Sequence, residues 1–214
     1  MAVTSDPIDD AARAALDGRL VVFPTDTVYG LATRPDDPAA VERVFSAKRR
    51  DRDLTLPVLA PTPATAREIA RFDEGANAVA ASFWPGPLTL VLPRTALSRS
   101  WDLGGDRDPR TIGVRVPSHP LARAVLTASG PLAATSANRS GEAPATTCDE
   151  LRAAFGDLVE VYLCEEVPLA GVASTVLDLT QGVPRLLRSG DVAPEAIARL
   201  LPGGEALLDS RPSS

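Results

Sequence analysis

The chain has one histidine and two cysteines among 214 residues. A single imidazole, His119, excludes a histidine-rich metal centre and leaves one candidate base for a serine–histidine pair. Two cysteines, Cys148 and Cys164, do not make a disulfide framework. Aromatics are only 4%, so the core has to be built mainly from Ala, Val and Leu. No apolar run approaches the ~18 residues of a membrane span. Residues 1–10 lack a basic segment followed by an apolar one, so no secretory signal is read and a cytoplasmic protein is the default. Positive charge is also scarce: 22 Lys and Arg stand against 28 Asp and Glu, for a net charge of −6. That balance lacks the basic footprint of non-specific nucleic-acid binding. Phosphate-loop, dinucleotide-fingerprint and Gly-x-Ser-x-Gly motifs are all absent.

What is present suits one α/β domain, expected over 1–202 with a flexible tail at 203–214. Hydrophobic residues at 44% and charged residues at 23% are ordinary for a globular protein. Leu20-Val21-Val22-Phe23 reads as a buried strand that opens into Pro24-Thr25-Asp26-Thr27-Val28-Tyr29-Gly30. Helices are predicted from Asp6-Pro7, Asp37-Pro38, Thr62-Pro63, Asp73, Ser118-His119-Pro120, the capping box Thr147-Cys148-Asp149-Glu150, and Pro194. Ser118 and His119 suit a helix cap better than a nucleophile and base. Strands are predicted at 56–60, 88–92, 111–116, 132–135, 159–163, 174–179 and 185–188. Residues 94–110 form the longest loop, a candidate lid or a plain excursion. Several strand pairs have hairpin-length links, which predicts a twisted mixed sheet flanked by helices and not a purely parallel one.

Three short polar loops sit beside apolar strands: 25–27, 136–138 and 171–175. With them come scattered cations, Lys48, Arg50, Arg52, Arg115 and Arg188. The dense cluster Lys48-Arg49-Arg50-Asp51-Arg52 also reads as a solvated helix end. Hydroxyls, one amide and several guanidinium groups suit a polyanion and a small zwitterion better than nucleophilic catalysis.

Seven segments occur in order: Pro24–Leu31, Lys48-x-Arg50, Trp84-Pro85-Gly86-Pro87-Leu88-Thr89, Val114-Arg115-Val116-Pro117, Ser136-Ala137-Asn138-x-Ser140-Gly141, Gly171-Val172-x-Ser174-Thr175-Val176 and Pro184-Arg185-x-Leu187-Arg188. Together they resemble the YrdC/Sua5 family of L-threonylcarbamoyladenylate synthases, in its single-domain form, from about residue 19 to 192. The sequence departs from the family pattern at Arg50-Asp51, at Thr55 and at Arg188-Ser189-Gly190. The resemblance implies a sheet with an open concave cleft. It also implies a nucleotidyltransferase that joins L-threonine, bicarbonate and ATP into threonylcarbamoyl-AMP and pyrophosphate, for the t6A modification of tRNA. Mg2+ would come with the ATP, and a downstream threonylcarbamoyl transferase complex would use the product. Direct tRNA contact is left open. The implied roles are catalysis and phosphate binding for Lys48 and Arg50, ATP binding for Arg52, Ser136, Asn138, Thr146 and Arg188, and threonine binding for Thr25, Arg115 and Ser174. Asp26 and Thr27 stand between substrate contact and loop shaping. The competing readings are an RNA-binding module of the same fold and the carbamoyl-adenylate chemistry of hydrogenase maturation.

Overall fold

With no polar side chain to keep wet, Leu20–Phe23 folds as strand β1, all four residues buried. Side chains of a strand alternate between faces. Leu20 and Val22 accordingly enter one apolar cluster, and Val21 and Phe23 the other. The computed structural model describes residues 6–105, 109–169 and 171–209, the side chain of Asp209 excepted. Among them, nine strands make one mixed sheet: β1, β2 (Gly30–Thr33), β3 (Val58–Leu59), β4 (Leu88–Pro93), β5 (Thr111–Arg115), β6 (Leu132–Ser136), β7 (Val159–Tyr162), β8 (Thr175–Asp178) and β9 (Arg185–Arg188). Their order is β7-β1-β2-β6-β3-β5-β4-β8-β9. The pairs β1–β7, β3–β5 and β4–β8 are parallel, the rest antiparallel.

Helices cover both faces. On one lie α1 (Pro7–Leu16) and α5 (Pro120–Ser129), whose Ala11, Ala15, Val125 and Leu126 pack on Val21, Phe23 and Leu132. On the other lie α2 (Pro38–Lys48), α3 (Pro63–Ile69), α4 (Glu74–Phe83), α6 (Cys148–Phe155) and α7 (Pro194–Ala198), with Phe45, Ile69, Val79, Phe155 and Ile197 in the larger core. Most helix starts are fixed by a side chain that accepts an orphan backbone N–H: Asp6, Asp37, Thr62, Asp73, His119 and Thr147. Thr147 and Glu150 form both halves of the capping box.

Strand β2 was not expected. Gly-Leu-Ala-Thr is short, small and buried on both faces, so it shows no alternation. Helix α3 stops at Ile69, because Ala70 turns extended and bridges to Arg94. The two cysteines are joined to each other, tying the first residue of α6 to the segment after β7, with Cα atoms 5.7 Å apart. The expected tail at 203–214 is in part ordered: residues 206–209 form helix α8 (Ala206–Asp209), and Leu207 is buried in the core. Residues 210–214 lie outside the described residues.

The loop after β4 is built around a buried guanidinium. Arg94 donates from Nε to the Thr111 carbonyl at 2.8 Å, and from Nη1 to the carbonyls of Ser98 at 2.8 Å and Trp101 at 2.6 Å. Leu103 is buried, and its carbonyl accepts from Leu56 N at 2.9 Å. Described as far as Gly105, this loop is packed into the body and not laid over a site; residues 106–108 lie outside the described residues. Replacing Arg94 with Ala takes the donor from three buried or part-buried carbonyls. We expect it to cost about 3 kcal/mol or more in denaturant unfolding.

Candidate active site

Sheet register brings the polar loops to one end. Phe23 pairs with Gly30, and Gly30 with Ser136, so the loops after β1 and β6 leave side by side. On the far half, Leu90 pairs with Val114 and Leu88 with Thr175. That register sets Thr89, Arg115 and Ser174 at the same end. Between the halves lies a cavity of about 590 Å³, within the range of small-molecule sites. Its walls include Thr25, Thr27, Arg50, Thr89, Arg115, Ser136, Asn138, Glu142, Ser174, Asp178 and Arg188.

Arg115, the last residue of β5, points into this site. Its Nε donates to the Gly86 carbonyl at 3.0 Å and its Nη1 to Thr27 Oγ1 at 2.8 Å. Its Nη2 is 2.7 Å from Asp26 Oδ1, in an ion pair of which Arg115 is 6% and Asp26 14% exposed. The same Oδ1 accepts from Ser118 N at 3.0 Å. Burial draws Arg115 below its usual pKa, and Asp26 opposes that. Asp26 and Thr27 therefore hold the loop and fix the guanidinium.

Thr25 is saturated. Its hydroxyl donates to the Val28 carbonyl at 2.6 Å and accepts from Thr27 N and Val28 N at 3.2 and 3.3 Å. Since its one proton goes to Val28, the 2.9 Å contact with Thr27 Oγ1 is a donation from Thr27. Thr25 lines the cavity with no proton left to give.

Lys48 and Arg50 diverge. Between them Arg49 caps α2 in the left-handed conformation at φ 50°, and the chain reverses. Lys48 is buried, and its ammonium donates to the Ser136 carbonyl at 2.5 Å, the Asn138 carbonyl at 2.6 Å and Asn138 Oδ1 at 3.1 Å. All three protons are spent on the 136–138 loop, and Lys48 is not among the residues lining the cavity. Burial, and secondarily the charge of Arg50, lowers it to about 8. Arg50 does line the cavity, with Nη1 3.4 Å from Thr135 Oγ1 and a buried Nε that has no hydrogen-bond partner.

Arg52 and Thr146, both expected at the nucleotide, are not brought to the cavity. Arg52 turns away to Glu42 and Asp102, each at 2.6 Å, and stacks over Phe45. The carboxylate Oε2 of Glu150 in the capping box takes Thr146 N at 2.7 Å. His119 caps α5 by accepting from Leu121 N at 3.3 Å on Nδ1, which leaves Nε2 to donate to Glu165 at 3.1 Å. Arg188 grips Ser174 twice, from Nε to the carbonyl and from Nη2 to Oγ, both at 2.9 Å. Gly190 permits this approach, since a Cβ there would overlap the backbone of residues 173–175. Among the described residues, Arg115 has a carboxylate partner, whereas Arg50 and Arg188 have none within ion-pair distance.

Two guanidinium groups without an ion-pair partner and a third held rigid, set among hydroxyls and an amide on a mixed sheet, suit contact with small anions. The model of the Sua5/YciO/YrdC family, which carries the description "Telomere recombination", matches residues 13–190, and the chain belongs to that family. The threonylcarbamoyl-AMP synthase of Chromohalobacter salexigens is 38% identical over 186 residues, covering 85% of this chain and 97% of its own. A Mycobacterium leprae protein, provisionally named for the same activity, is 42% identical over 195 residues, covering 91% and 87%. The crystal structure of Pyrococcus abyssi Sua5 complexed with L-threonine superposes with a TM-score of 0.83 at 38% identity, covering 91% of this chain and 57% of that one.

A lysine whose folded pKa lies near 8, below its unfolded 10.5, binds fewer protons folded than unfolded between those values. The cost of burying its charge is full below pH 8 and is relieved as pH rises towards 10.5. Relative to Lys48→Met, the wild-type unfolding free energy should therefore rise by on the order of 1 kcal/mol or more between pH 7 and pH 10. Denaturant titrations of both proteins at several pH values check this.

Proposed function

We infer that the chain is a threonylcarbamoyl-AMP synthase, joining L-threonine, bicarbonate and ATP into threonylcarbamoyl-AMP and pyrophosphate. Membership of the family and its relatives' activity support the reading. The observation that carries it is the cavity itself, where Arg50 and Arg188 lack carboxylate partners and Arg115 is pinned in place. Relatives named threonylcarbamoyl-AMP synthase support an enzyme; we take its class as nucleotidyltransferase.

The threonine amine and bicarbonate give a carbamate and water. A carbamate oxygen then forms a bond to the α-phosphorus of ATP, and the bond from that phosphorus to the pyrophosphate oxygen breaks. The route needs no covalent intermediate on the protein. The site's task is to hold two anions against each other and to stabilise the charge on phosphorus. Arg50 clamps phosphate, its unpartnered Nε being the donor on offer. Ser136 and Asn138 hold the nucleotide, and Lys48 acts through them by fixing their loop. Arg188 lies at the nucleotide side of Ser174. Arg115 pairs with the threonine carboxylate, and Thr25 and Ser174 wall the amino-acid pocket.

Among the described residues no cluster of three metal-ligating side chains occurs. Mg2+ would arrive on the ATP, held by phosphate oxygens and water. The product would pass to a transferase complex that modifies tRNA.

Pyrophosphate release from ATP, with threonine and bicarbonate omitted in turn, tests the reading. Release that ignores both rejects it. Arg50→Ala should lower the rate about 100-fold with the fold intact. Arg115→Ala should raise the threonine requirement more than the ATP requirement, and an equal rise in both would reverse our division of the site.

A further inference from the structure

A count of hydroxyl protons separates the two walls of the cavity. On the β1 side the chain of donors is closed: Arg115 donates to Thr27, Thr27 to Thr25, and Thr25 to the Val28 carbonyl. No proton remains on Thr25 or Thr27. On the β4 side Arg188 Nη2 donates to Ser174 Oγ at 2.9 Å, and Ser174 Oγ lies 3.0 Å from Thr89 Oγ1. An arginine only donates, so the Ser174 and Thr89 pair holds two protons of its own. One is used between the two oxygens. Among the described residues neither hydroxyl has any other acceptor. One proton is therefore left over whichever way the pair is polarised, and both residues line the cavity. Thr89 is 5% exposed, so bulk water is a poor acceptor for it. Its neighbours Val91, Gly113 and Val176 in the lining bring no acceptor side chain.

We propose that Thr89 is a substrate-binding residue: Arg188 donates to Ser174, Ser174 to Thr89, and Thr89 presents the remaining hydroxyl proton to an anionic carboxylate-type oxygen of the substrate. This rests on the proposed synthase reaction, which offers two such oxygens. One belongs to bicarbonate and the carbamate made from it, the other to the amino-acid carboxylate. A hydrogen bond to a charged oxygen in a dry site is among the stronger ones, and losing it should weaken binding roughly tenfold or more.

The test is steady-state pyrophosphate release by wild type, Thr89→Val and Thr89→Ser in degassed buffer, with KM read separately for bicarbonate, threonine and ATP. Valine keeps the shape and removes the hydroxyl; serine keeps the hydroxyl. Thr89→Val should raise one KM about tenfold, leave that for ATP in place, and be rescued in Thr89→Ser. A rise for bicarbonate puts the oxygen on the carbamate, and a rise for threonine puts it on the carboxylate. Unchanged values for both, or a change for ATP alone, overturn the proposal. Thermal unfolding is followed in parallel, and Thr89→Ala is read in the same way where the valine variant fails to fold. Wild-type release that needs neither threonine nor bicarbonate rejects the synthase reading. A normal wild type beside an unaltered Thr89→Val rejects only the role of Thr89.

Discussion

One buried ion pair joins the halves of the site. Arg115 ends β5 and Asp26 sits in the loop after β1, far apart in the order of the strands. An unpaired buried charge is costly, so each group requires the other. Their contact draws in Thr27, the Gly86 carbonyl and the backbone of Ser118. Three segments of chain, at 26–27, 86 and 115–118, are thus fixed by one guanidinium and one carboxylate. The shape of this wall of the cavity is set by them before any ligand arrives, which is how a site is preorganised.

The cations of the site divide into those the protein has already neutralised or used and those it has not. Arg115 is neutralised by Asp26, and Lys48 and Arg94 are spent on carbonyls. Arg52 is held by two surface carboxylates. Only Arg50 and Arg188, among the cavity-lining cations described, have no carboxylate partner within ion-pair distance. The chain can thus carry a net negative charge and still hold a local field suited to polyanions.

The sequence made much of this architecture legible. Aspartate or threonine before proline marked the starts of α1, α2 and α3, because a cap and a preset φ are local chemistry. The apolar run of β1 and the mixed sheet could be read as well. Strand β2 could not, since four small residues buried on both faces carry no period. Within the site, residue types and order pointed to Arg50, Arg115, Ser136, Asn138, Ser174 and Arg188, all of which line the cavity. The direction of a side chain after a helix end was beyond reach. Left-handed Arg49 sends Lys48 and Arg50 opposite ways, and Asp102, 50 residues on, takes Arg52. Thr89 stood within a recognisable segment, but its part in a donor chain follows from register across β4 and β8, which no local pattern states.

The lysine at the end of α2 also limits what could replace it. Its three acceptors, two carbonyls and one amide oxygen, converge on a single nitrogen within 3.1 Å. An ammonium meets such a set because its three protons fan out from one point, whereas a guanidinium spreads its donors in a plane across several atoms. Arginine brings the same charge on a larger, flat head whose donors do not converge on one point. At position 48 the fold tells the two cations apart by shape.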